Sequence, residues 1–133
     1  MINLIETVND LESIADVISM NVIATGKERL AERVDLASLR DESTLSFARF
    51  VIDTLQQTVA SLGDANTADL TPVAAGKAEM KSRAIAARKS VFERLKLADV
   101  QDVLRFRLAD DLIEQLRQIG RLSLRITKKA QRA

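Results

Sequence analysis

The sequence predicts an all-α protein, an antiparallel bundle of four long helices. Three observations point there. The 133 residues include four Gly and one Pro, so little interrupts a long helix. Apolar residues recur at spacings of three and four in four separate runs, the pattern of helices that bury one face. Aromatic residues are limited to four Phe, with no Tyr or Trp, so the core must be built from Leu, Ile, Val and Ala, which suits helix-on-helix packing. This length fits a single domain, residues 1–133, with a real hydrophobic core.

The first helix is predicted over about 2–33. Leu4, Val8, Leu11, Ala15, Ile18 and Val22 form one continuous apolar stripe on it. Gly26 weakens this helix but lies among good formers from Lys27 to Glu32. No capping residue precedes Ile2, so the helix starts at full amphipathic strength, which predicts that the chain is cut from something longer. The second helix, about 39–62, has Ser38 as N-cap with Asp41 and Glu42 in its positive first turn, and Gly63 as its stop. Phe47, Val51, Thr54, Thr58 and Leu62 form its inner stripe. The third, about 72–96, starts with Thr71 capping and Pro72 at the first helical position, where a missing N–H costs nothing. Val73, Met80, Ala84, Ala87 and Val91 mark its inner face, and their small size allows close approach. Asp99 caps the fourth helix, about 100–130, whose stripe is Leu104, Leu108, Leu112, Leu116, Ile119, Leu122 and Ile126, with Gln115 a polar intruder.

Composition narrows the chemistry. The chain has no His and no Cys, hence no imidazole base, no thiolate and no soft metal ligands. With Tyr also missing, little acid–base or nucleophilic machinery remains, and the expectation is a protein that is not an enzyme. No run of about 18 apolar residues occurs, so no membrane span is expected. Met1 leads straight into an amphipathic pattern carrying Glu6 and Asp10 rather than into a secretory leader.

A net charge of +1 hides an asymmetry. Residues 1–70 hold 12 acids and 5 bases, and residues 71–133 hold 7 acids and 15 bases. Either the two halves pack together and neutralise one another, or the basic C-terminal helix meets an anionic partner.

Two constellations carry possible chemistry. Asn9, Glu12, Ser13 and Asp16 lie at offsets of three, four and seven, which puts four oxygen-bearing side chains along one helix edge. Two carboxylates with amide and hydroxyl neighbours form a partial hard-cation site, although the same spacing also suits a solvated edge. On the last helix, Arg117, Arg121 and Arg125 form an i, i+4, i+8 ladder roughly opposite the apolar stripe. It can pair with acids on another helix or subunit, or bind an anion such as phosphate or a lipid surface. Nucleic acid is disfavoured, with no binding motif and no stacking Tyr or Trp. Phe106, Ile113 and Leu124 fall on the same outer side, where apolar groups would serve subunit packing or docking.

The run Leu11-Glu12-Ser13-Ile14-Ala15-Asp16 resembles the Glu/Asp-x-x-x-Asp signature of the PhoU-like family. A second copy, Leu116-Arg117-Gln118-Ile119-Gly120-Arg121, keeps Leu, Ile and Gly but has Arg at both acidic places. The resemblance implies a helical bundle: the three helices after Ser38 as one repeat, and the first helix as the end of a preceding one. The family's signature acids can hold iron, zinc or a similar ion. This implies a divalent or iron-type metal at Glu12 and Asp16 and none at Arg117 and Arg121, which repel cations.

The family includes regulators of phosphate transporters and soluble tails of bacterial sodium/phosphate cotransporters. The expected function is therefore a non-enzymatic regulatory or interaction module of phosphate transport. It would act through helix-face contacts with the transporter membrane domain, another protein or a second copy. The expected location is cytoplasmic, tethered to the inner membrane through a transporter region ahead of Met1. The alternatives are a metal-binding or metal-sensing protein using Glu12 and Asp16, and a plain helical oligomerisation scaffold.

Overall fold

The computed structural model describes residues 4–31, 42–63, 73–94 and 100–131. All of them are helical, with no strand among the described residues. The elements are α1 (Leu4–Asp16), a π-helical segment (Val17–Val22), α2 (Ile23–Ala31), α3 (Glu42–Gly63), α4 (Val73–Arg94) and α5 (Val100–Gln131). The expected caps and starts at Ser38, Asp41, Thr71, Pro72 and Asp99 lie outside the described residues.

α5 is the axis of the fold. α3 and α4 pack on it and on each other, and α1, the π segment and α2 lie along a third side of it. Cross-helix contacts fix the directions. Arg83 on α4 donates to Ser46 Oγ on α3 at 2.7 Å and sits 4.7 Å from the Phe50 ring centre, a cation–π contact. Arg88 reaches Asp110 (2.5 Å) and Glu114 (3.1 Å) on α5. On α1 and α2, Asp10, Thr25 and Glu28 meet Arg125, Gln115 and Arg107 in reverse order along α5. Along α4, Gly76, Met80 and Arg88 meet Leu124, Gly120 and Asp110 of α5 in reverse order. Gly76 shares a cavity with Thr54 and Gln57 of α3, while Arg83 reaches Ser46. The packing is therefore antiparallel for α3 with α4, α4 with α5, and α1/α2 with α5.

The predicted inner faces of the later helices are buried in part, with Thr54, Leu62, Leu104, Leu112 and Leu116 only half-buried. Phe47, Val51, Met80, Ala84, Ala87, Val91, Leu108 and Ile126 are all at most 5% exposed. The outward placement expected for Phe106, Ile113 and Leu124 is wrong. Ile113 and Leu124 are buried, and Phe106 packs on the core with its ring edge-to-face to Phe92, 5.8 Å between centres. A helix wrapped on three sides needs apolar residues around most of its circumference, not along one stripe.

The first stripe is also corrected. Val8 is 50% exposed and Ile18 39%, while Thr7, Asp10, Ile14, Val17 and Thr25 are buried. Two causes combine. The docked face of α1 includes the polar pair Thr7 and Asp10, which a search for apolar periodicity passes over. The π segment then changes the phase: Ile23 N–H donates to Ile18 O, five residues back. Each π turn takes up one more residue than an α turn. The inward positions accordingly step 14, 17, 22, 25 instead of holding to threes and fours throughout.

Between α3 and α5 the core contains a buried hydroxyl cluster. Thr58 Oγ1 lies 2.9 Å from the Thr54 carbonyl, 3.1 Å from the Ser123 carbonyl and 2.8 Å from Thr127 Oγ1. One hydroxyl proton cannot serve all three. The most complete arrangement has Thr58 donating to a carbonyl and accepting from Thr127. Thr58→Val should lower stability to urea by about 1–2 kcal/mol, because Thr127 loses a buried partner. Adding Thr127→Val should recover most of that loss, since removing both partners leaves nothing unsatisfied. Purely additive losses in the double variant would refute this account of the cluster.

Candidate functional site

The ladder predicted on the last helix exists, but α5 divides it between two neighbours. Arg125 turns toward α1, where Asp10 accepts from its Nη2 and, at 3.2 Å, from its Nε. Lys129, one turn further on, reaches Asp10 at 3.3 Å and Glu6 at 2.8 Å. Glu28 on α2 accepts from Arg107 near the other end of α5. The acidic first segment and the basic last helix thus neutralise one another along this seam.

Asp10 is the centre of that cluster, with a side chain only 5% exposed. Its burial by itself pushes the carboxyl up. The hydrogen bonds from Arg125 and Lys129, reinforced by their charges, outweigh this and hold it below its ordinary value. The Arg125 guanidinium is raised by its bond to Asp10, and the Lys129 ammonium by its bonds to Glu6 and Asp10. A carboxyl held low in the folded state stabilises the fold above its unfolded value of about 3.9, and that gain is lost as pH falls toward the folded value. Lys129 has the opposite sign: its contribution is present at neutral pH and disappears as pH rises past the ordinary lysine range.

Arg117 and Arg121 face the other way. With Lys77 and Lys81 of α4, and with Met80 and Leu124, they line a cavity of about 250 Å³. The sequence reading found the two arginines but not the two lysines. The signal was present, since Lys77 and Lys81 repeat the i, i+4 spacing of the arginines, but nothing in one dimension places α4 beside that part of α5.

Glu12 and Asp16 are exposed on α1, on the side away from the buried face. Ser13 spends its hydroxyl on the Asn9 carbonyl at 2.9 Å. Among the described residues no group of three His, Cys, Asp or Glu is placed to hold a metal. The geometry brings Glu12 and Asp16 no further ligand among them. No helix among the described residues is long and apolar enough to cross a membrane.

Comparison with known proteins finds no matching family model, no curated relative and no matching solved structure.

Asp10→Asn should cost about 1.5 kcal/mol at pH 7, at the low end for a hydrogen bond to a charged group, because the half-exposed Arg125 can return to water. Urea titrations across pH should show the gap between parent and variant closing below about pH 4, where the parent carboxylate also becomes neutral. A gap that persists unchanged at low pH would mean that packing, not charge, is what Asp10 contributes.

Proposed function

We propose that the chain is a non-enzymatic regulatory or interaction module of phosphate transport, of the PhoU-like kind. The observation that carries the interaction reading is the outer side of the first helical stretch. Ile5, Val8, Ile18, Met20, Ile23 and Leu30 are exposed there, Ile5, Met20 and Leu30 by more than two thirds. Fully burying such a side chain is worth about 1.5–3 kcal/mol, so leaving several on one stretch is costly unless another surface covers them. The opposite edge of the same stretch is held to α5 by ion pairs. These apolar side chains are presented outward among polar ones, Glu12 and Asp16 included, a mixed face suited to helix-on-helix docking with a transporter or a second copy.

The phosphate-transport part of the reading is supported by the motif at Leu11–Asp16 and its altered copy at Leu116–Arg121. The order of one helical stretch followed by a three-helix unit, α3 to α5, agrees with the one-repeat separation of the two motif copies. The composition, without His, Cys or Tyr, supports a role by contact rather than by turnover. In this reading the domain works on the cytoplasmic side, next to the transporter it regulates.

Val8→Glu combined with Ile23→Glu should leave helicity and melting temperature close to the parent, because both side chains are about half exposed. It should abolish self-association in light scattering, or co-purification with a sodium/phosphate cotransporter membrane domain, and alter phosphate uptake in cells carrying the variant. A parent chain that is monomeric at high concentration, fails to co-purify and has no effect on phosphate uptake when deleted would sink the reading.

A further inference from the structure

Among the described residues, no acid neutralises the cations around the α4/α5 cavity. Lys77 and Lys81 stand one turn apart on α4, Arg117 and Arg121 one turn apart on α5, and the two pairs line the same cavity of about 250 Å³. Among the described residues none of the four takes part in an ion pair or hydrogen bond. Other basic residues along α4 are treated differently: Arg83 is met by Glu79, Arg88 by Asp110 and Glu114, and Lys89 by Glu93. Like charges at i, i+4 destabilise the helix that carries them, and two such pairs sharing one cavity compound the cost.

The floor of the cavity depends on two close approaches between the helices. The Met80 side chain lies over Gly120, where a Cβ would come within 2.6 Å of the sulfur. Leu124 lies over Gly76, where a Cβ would stand 3.0 Å from its Cδ2. Each helix supplies the glycine that the other helix's floor residue needs. The apolar floor thus stays low between the cationic rims.

We propose that this cavity binds a phosphoryl-type polyanion. Two guanidiniums offer paired N–H forks that match phosphate oxygens, and two ammoniums close the opposite side as point charges. Four uncompensated positive charges suit a multivalent anion better than a single carboxylate. Among the described residues no aromatic ring lines the cavity to offer a stacking platform for a nucleic-acid base. The Met80–Leu124 floor accepts an uncharged ester portion. The phosphoryl group can be free or belong to a lipid headgroup, and the two sources are separable by experiment. This site lies on α4 and α5, away from the exposed face of α1 and α2, and stands or falls independently of the docking proposed above.

The test uses the whole chain, with sodium tripolyphosphate as probe in calorimetric titration and thermal melts at ionic strength held constant with sodium chloride. The expected result is saturable binding at one site per chain and a rise in melting temperature beyond that of chloride alone. Arg117→Gln with Arg121→Gln should weaken binding by more than about tenfold, the loss of charge-assisted hydrogen bonds. The same variant should melt at or above the parent in chloride, because the crowding of like charge is relieved. Gly120→Ala keeps every charge but drives Met80 into the cavity, and it should weaken binding too. Phosphatidylcholine vesicles with and without phosphatidic acid form the second arm: binding there, with none to tripolyphosphate and with the same loss in the arginine variant, assigns the phosphoryl group to a lipid. The proposal is overturned if neither probe binds beyond the effect of ionic strength, or if the double arginine variant keeps the parent's affinity.

Discussion

Everything in this fold depends on one 32-residue helix satisfying three different neighbours at once. Toward α3 and α4, α5 presents Leu124 over Gly76, with the hydroxyls of Ser123 and Thr127 inserted where α3 supplies Thr58. Toward α1 and α2 it presents Arg107, Gln115, Arg125 and Lys129. A helix used this way cannot have a single apolar stripe and a single polar face. Its circumference is divided by partner, and each sector carries the chemistry that its partner needs.

The two seams are held by different mixtures of forces. The seam with α3 and α4 combines apolar packing, which salt does not screen, with the part-exposed pairs of Arg88 to Asp110 and Glu114. The seam with α1 and α2 adds a charged cluster around Asp10, whose side chain is nearly excluded from water while Arg125 stays half in it. Ion pairs of this sort depend on protonation, and the partly exposed members are screened by salt. The first helical stretch is consequently the element whose docking responds most to solution conditions, and it is also the element that exposes the most large apolar side chains.

Much of the architecture was legible in one dimension. Long runs with the helical period and few breakers marked out helical stretches, and residues 4–31, 42–63, 73–94 and 100–131 are helical. The inner faces of α3 and α4 followed from simple spacing, because each is a two-partner helix with one buried side. The first helix defeated the same method for physical reasons. Its docked face is partly polar, with Thr7 and Asp10 buried, and the π turn at Val17–Val22 inserts a phase change that no strict three-and-four count can follow. The outward assignment of Ile113 and Leu124 failed because α5 has more neighbours than its periodicity reveals. For the candidate site, the arginines were visible as a ladder. Their division, Arg125 to Asp10 and the other two to a cavity with Lys77 and Lys81, was not.

The sequence by itself determined that the described residues are all helical and that charge is split between the two halves of the chain. These follow from local propensity and from spacing along one chain, which neighbours in space do not alter. Only the tertiary structure decided which charges neutralise one another and which are left facing a cavity. That choice depends on which helix lies beside which sector of α5, and on two glycines, Gly76 and Gly120, that let Leu124 and Met80 settle between α4 and α5. Electrostatic partnership is a matter of a few ångströms between residues as much as 123 positions apart in the chain, Glu6 and Lys129, and no pattern in one dimension encodes it.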